Sequence, residues 1–225
     1  MNAGKYVFSQ LVEFLPQKAF QRIVMKYMGD KYVKSFSCWN QLLVMMFGQL
    51  SNRESLRDLT TTISAHSSKS YHLGFGKIPV SKSNLGKSNE RREPKIVEEF
   101  AYKMIKIAQE KRIAREFEPE GKFYAFDSST IDLCLKIFWW ARFRKHKGGI
   151  KLHTLYDVVT QIPTFFHIRD AKIHDVNAMD VIPYKTGAYY IFDRGYFDLS
   201  RLYKINLLQA FFVIREKKRR NYDVI

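Results

Sequence analysis

Lys122-Phe123-Tyr124-Ala125-Phe126-Asp127-Ser128-Ser129-Thr130 is the stretch from which the fold of this chain is read. Side chains alternate along an extended segment, so Phe123, Ala125 and Asp127 share one face and Tyr124 and Phe126 the other. A second run has the same form: Tyr189-Tyr190-Ile191-Phe192 leads into Asp193-Arg194-Gly195-Tyr196. Between and beyond these two, strands are expected at 150–159, 163–168 and 210–214, with Gln161 and Ile162 at the turn before the 163–168 strand. Helical stretches are expected at 175–182 and 198–207. Three consecutive strands followed by strand–helix alternation predict a mixed α/β sheet.

Upstream the period changes. Val7, Phe8, Leu11, Val12 and Leu15 follow helical spacing, as do Phe20, Ile23, Val24 and Tyr27, and then Trp39, Leu42, Leu43, Met46 and Leu50. Ser51, with Glu54 three residues on, reads as a capping box for the next helix, which carries Leu56 and Leu59. Ser81 reads as the cap of a short polar helix. A further helix from Pro94 to Arg112 has Val97, Phe100, Met104 and Ile107 on its apolar face. Residues 116–121 form a polar linker. The organisation is therefore a helical domain over 1–115, compatible with a helix-turn-helix-like DNA reader or with plain helical packing, and a sheet-bearing domain over 116–225. The fold class is α+β.

The chain has 225 residues, 46% of them hydrophobic and 15% aromatic, which suits a packed core rather than disorder. Its formal charge is +16 and its pI about 9.8. Residues 1–120 hold 20 Lys/Arg against 12 Asp/Glu, and residues 121–225 hold 18 against 10. Both halves therefore face the same polyanion, with nucleic acid the first candidate. Cys38 and Cys134 sit among apolar residues and suggest no disulfide framework, which fits a reducing cytoplasm. No secretory signal and no membrane-spanning run is evident. The histidines and cysteines show no zinc spacing.

Asp127 and Asp193 each close an apolar run, and an aspartate buried there without a partner is costly. Each could cap the loop that follows. Together on one sheet, in so basic a chain, they suit a divalent cation instead. Mg²⁺ takes one or two carboxylates and completes its octahedron with waters and a substrate phosphate.

The residues Phe126–Thr130, Lys147-Gly148-Gly149-Ile150-Lys151-Leu152-His153, His174-Asp175 and Phe192-Asp193-Arg194-Gly195-Tyr196 together resemble the DDE transposases of the insertion-sequence-four family. Residues 48–58 resemble the N-terminal domain of the same enzymes, so the resemblance covers nearly the whole chain. It implies an RNase H-like core in which Asp127 is the first acid and Asp193 the second, with Mg²⁺ or Mn²⁺ as cofactor. It also implies DNA transposition by hydrolysis and strand transfer at terminal inverted repeats of double-stranded DNA, and a homodimer in the complete enzyme. The family's third acid is a Glu on a helix beyond the fifth strand, inside a Tyr/Arg/Glu/Lys signature. Glu216 lacks that signature and reads as a solvated charge. The expectation is therefore a core truncated before its third acid, with little strand-transfer activity of its own. The alternatives are a DNA-binding remnant that inhibits the full-length transposase, and a nuclease with an unrelated third acid.

Further DNA contacts are expected from Arg194, a phosphate clamp or an ordinary surface residue, and from Tyr196, which either stacks on a base or packs on the sheet. The run 138–147 interleaves aromatics with Arg142, Arg144, Lys145, His146 and Lys147. Lys151 and His153 share a strand face and could point at the metal or the DNA. His174 reads as a loop histidine before Asp175, the expected cap of the next helix. Asp132 reads as a supporting acid or a loop residue, and Lys217-Lys218-Arg219-Arg220 as an exposed basic cluster.

Overall fold

The computed structural model describes residues 6–75, 79–111, 121–133, 142–144 and 147–215. The chain divides into two compact units, Met1–Met104 and Ile105–Ile225. Among the described residues no helix is long and apolar enough to cross a membrane.

The first unit is helical: α1 (Val7–Glu13), α2 (Gln17–Lys26), α3 (Cys38–Leu50), α4 (Leu56–Ala65), α5 (Lys82–Arg91) and α6 (Lys95–Glu110), the last running on into the second unit. Serines start three of them. Ser37 and Asn40 form a reciprocal capping box on α3, and Ser81 caps α5 by accepting from the Asn84 amide. The cap expected at Ser51 belongs instead to Ser55, whose side chain accepts from the Asp58 amide. Ser51 closes α3, its hydroxyl donating back to the Phe47 carbonyl, and Asn52 then turns the chain at φ 56°. On α6 the expected inward stripe holds at Phe100, Met104 and Ile107, but its first member is Ile96 rather than Val97. Ile96 is 2% exposed and Val97 55%, because Ile96 fills the space beside Gly29, where a β-carbon would lie 2.5 Å from the Ile96 Cδ1. Two apolar clusters hold this unit, one around Leu43, Val44, Phe75 and Leu85 and one around Phe20, Val24, Ile96 and Phe100.

The second unit is built on one sheet: β1 (Lys122–Leu133), β2 (Arg142–Arg144), β3 (Lys147–Asp157), β4 (Ile162–Asp170), β5 (Ala188–Phe192) and β6 (Phe211–Ile214). β4, β3 and β1 pair antiparallel in that order, and β1, β5 and β6 pair parallel. Helix α7 (Leu199–Leu207), capped by Asp198, makes the crossover that the parallel pair β5/β6 requires. This mixed order is that of the expected RNase H-like core. The alternation read from the sequence holds, with Tyr124 and Phe126 buried and Asp127 exposed on the opposite face. Tyr124, Phe126, Tyr190, Phe192, Tyr196 and Ile205 form the core beneath the sheet.

Two expectations change here. β1 does not end at Asp127 but continues to Leu133, because β3 supplies antiparallel partners along that whole length. The segment Arg142–Arg144, read as part of an aromatic–basic run, has its backbone in a strand paired with the start of β3.

Candidate active site

Phe126 on β1 pairs with Phe192 on β5, the last residue of that strand. The next residue on each chain is an aspartate, so Asp127 and Asp193 stand side by side where β1 loses its parallel neighbour. Adjacent strands lie roughly 4.8 Å apart, so the register brings the backbones that carry the two aspartates close together. Both residues are exposed. Asp127 Oδ1 accepts from the Ser128 amide at 2.7 Å. Asp193 caps the 3₁₀ turn Arg194–Tyr196, accepting from the Gly195 amide. Glycine leaves room there: a β-carbon at 195 would lie 2.8 Å from Asp193 Oδ1, which would have to shift. Among the described residues neither carboxylate belongs to an ion pair, and no group of three His, Cys, Asp or Glu could hold a metal. Two exposed carboxylates with no ion pair among the described residues are the kind of oxygen donor that a hydrated divalent cation takes.

Beneath this edge lies a polar network inside the core. Tyr196 is 2% exposed, its ring against Phe126 and Phe192. Three residues per turn in a 3₁₀ segment bring it back under Asp193. Its hydroxyl lies 3.4 Å from His153 Nδ1. Burial raises the Tyr196 pKa, and the carboxylates of Asp175, Asp127 and Asp193 add to the rise, so the phenol stays protonated. His153 is 1% exposed and stacks on Phe126. Its pKa is lowered, chiefly by burial, although Asp175 works the other way. Asp175 Oδ1 lies 3.9 Å from His153 Nε2 and accepts from Lys151 Nζ at 2.7 Å. The imidazole therefore sits neutral between the tyrosine and the carboxylate, an arrangement that suits a proton on Nε2.

The structure places the other expected site residues as follows. Tyr196, expected to stack on a base or pack on the sheet, and His153, expected to point at the metal or the DNA, are both buried. Lys151, expected to point at the metal or the DNA, is largely buried and pairs with Asp175. His174, not Asp175, is the cap of the 3₁₀ turn Asp175–Val181, its Nδ1 accepting from the Val176 amide. Arg194 is exposed beside Asp193 and, among the described residues, makes no ion pair. The side chains of Asp132, Arg142, Arg144 and Lys147 lie outside the described residues, as do Cys134, Phe138–Ala141, Lys145, His146, Glu216 and the 217–220 basic cluster.

The Asp175 interaction was not read from the sequence. Its partner Lys151 is 24 residues away, and the only local signal was an aspartate at the start of a helical turn.

Residues 118–224 match the model of a transposase DDE domain, and residues 3–76 match that of a domain of unknown function (DUF4372). A Sinorhizobium fredii (strain NBRC 101917 / NGR234) protein named as a transposase, y4zB, is 32% identical over 116 residues, covering 51% of this chain and 32% of that protein. The chain thus spans about a third of the length of that relative. The domain match falls on the unit that carries both aspartates, so residues 118–224 belong to the transposase DDE domains, as the resemblance read from the sequence implies.

Proposed function

We propose that this chain is the end-binding and acid-bearing part of a DNA transposase, and that Asp127 and Asp193 hold its divalent cation, Mg²⁺ or Mn²⁺. The observation that supports the reading is the register pair Phe126–Phe192, after which each strand's next residue is an exposed aspartate. A divalent cation bound there supplies a more acidic water and neutralises charge developing on the phosphate. The residues of the chain do the rest. Asp193 is held by its own turn, with Gly195 leaving room for the carboxylate. Arg194, exposed next to it, takes a phosphate oxygen of the scissile strand. Tyr196 and His153 support both acid-bearing segments from below. The substrate is double-stranded DNA at the element's terminal inverted repeats, cut by hydrolysis and then joined to target DNA by the freed 3′-hydroxyl. The complete enzyme works as a homodimer in the cytoplasm.

A second reading is a protein that binds element ends without cutting them. It is favoured by the lack, among the described residues, of a third acid grouped with the other two.

Mn²⁺ titration followed by electron paramagnetic resonance tests the site directly. Asp127→Ala and Asp193→Ala each weaken binding if the assignment holds, and unchanged binding in both refutes it. Mg²⁺-dependent nicking of an end-bearing duplex by the wild-type chain supports the catalytic reading. Binding without nicking supports the second.

A further inference from the structure

The N-terminal unit has a groove of about 570 Å³ between the segment Lys31–Phe36 and helix α5. One wall is a helical stripe. Asn84, Lys87, Ser88 and Arg91 recur at three- and four-residue spacing, while Leu85 on the opposite side is buried. The other wall presents Lys31, Lys34 and Ser35, all exposed. The groove is lined by five cations, counting Arg92, against one carboxylate, Glu93. Among the described residues none of Lys31, Lys34, Lys87 and Arg91 is in an ion pair.

The groove is built rather than accidental. Arg92 is largely buried and donates to the carbonyls of Ser37 and Phe36 and to Gln41 Oε1, and it lies 3.6 Å from Asp30. It thereby ties the end of α5 to the facing segment. Gly29 lets that segment press against Ile96 and Cys38, where no β-carbon would fit. Tyr32 is 91% exposed and held at φ 62°, a left-handed conformation that residues with a side chain rarely adopt. Its ring carries the Lys31 ammonium 5.2 Å from its centroid.

Lysines, an arginine and short neutral donors on two facing walls are the side chains that bind nucleic-acid backbone. We infer that this groove takes a DNA phosphate backbone, with Lys31, Lys34, Lys87 and Arg91 each neutralising one phosphate. It rests on the DNA-transposase reading above and locates part of the DNA footprint on the helical unit.

The test is fluorescence anisotropy of the full chain on a labelled duplex over a salt series. One variant combines Lys31→Ala, Lys34→Ala, Lys87→Ala and Arg91→Ala. A control removes the same charge elsewhere on the chain's helices, by Lys18→Ala, Arg22→Ala, Lys103→Ala and Lys106→Ala. All these positions are exposed, and circular dichroism checks that the fold is kept. The groove variant should bind more weakly, and its log–log salt slope should fall by about 0.9 for each phosphate no longer neutralised, while the control keeps the wild-type slope. A groove variant with the wild-type slope, or a control that loses as much, overturns the assignment and leaves the transposase reading standing. A wild-type chain that does not bind duplex DNA at all overturns the reading on which it rests.

Discussion

Lys151, in the middle of β3, donates to Asp175 across 2.7 Å and so fastens the 3₁₀ turn Asp175–Val181 to the sheet. The same carboxylate lies 3.9 Å from His153, and His153 lies 3.4 Å from Tyr196. A line of polar groups thus runs from the outer sheet to the two acid-bearing segments.

Removing one end of that line takes away the carboxylate that pairs with a largely buried ammonium. Asp175→Ala is expected to lower the unfolding free energy by about 1–3 kcal/mol, measured by urea denaturation. Replacing both partners, Lys151→Met with Asp175→Leu, is expected to lose less, because no buried charge is left behind.

The pH dependence follows from the buried imidazoles. Burial is the chief cause that lowers the pKa of both His153 and His167 below the ordinary 6.5. Between the folded and unfolded values the unfolded chain binds more protons, so stability rises with pH there. Stability is therefore expected to be level above pH about 6.5 and to decline as the solution is acidified below it. The urea midpoint as a function of pH checks this, and His153→Gln should make the decline shallower.

Asp193 combines two roles that separate by substitution. Asp193→Asn keeps an acceptor for the Gly195 amide, so the melting temperature should barely move while Mn²⁺ affinity falls at least about tenfold, or 1.4 kcal/mol. Asp193→Ala loses the cap as well and should cost about 1 kcal/mol of stability. Paired thermal melts and metal titrations distinguish the two.

Gly195→Ala probes position without touching charge. The new methyl would lie 2.8 Å from Asp193 Oδ1, so the carboxylate must move. Metal affinity is expected to fall, and the melting temperature to fall by a few degrees, about the effect of 1 kcal/mol in a chain of this size.

Much of the fold is legible in local pattern. Alternation around Tyr124 and Phe126 reports a half-buried strand, and the stripes of α2 and α3 report helices, because both periods are properties of neighbouring residues. Caps were harder. Ser51 and Ser55 both satisfy the composition of a helix start, and only the backbone turn at Asn52 selects the second. Val97 and Ile96 both suit an apolar face, and the space beside Gly29 selects Ile96.

The sequence alone determined that two aspartates follow two apolar strands, that glycine stands two residues after the second, and that the chain is strongly basic. Those are consequences of residue order and composition. The tertiary structure decided that β1 runs past Asp127, and that the Phe126–Phe192 register sets the acids abreast. It also decided that His153 and Tyr196 are buried in the core. The physical reason is pairing. Strand length and neighbour are set by hydrogen bonds to segments 27 and 66 residues away, as at Asp127↔Thr154 and Phe126↔Phe192. Burial is set by what packs from the far side. Neither is carried by the residues next to Asp127 in the chain.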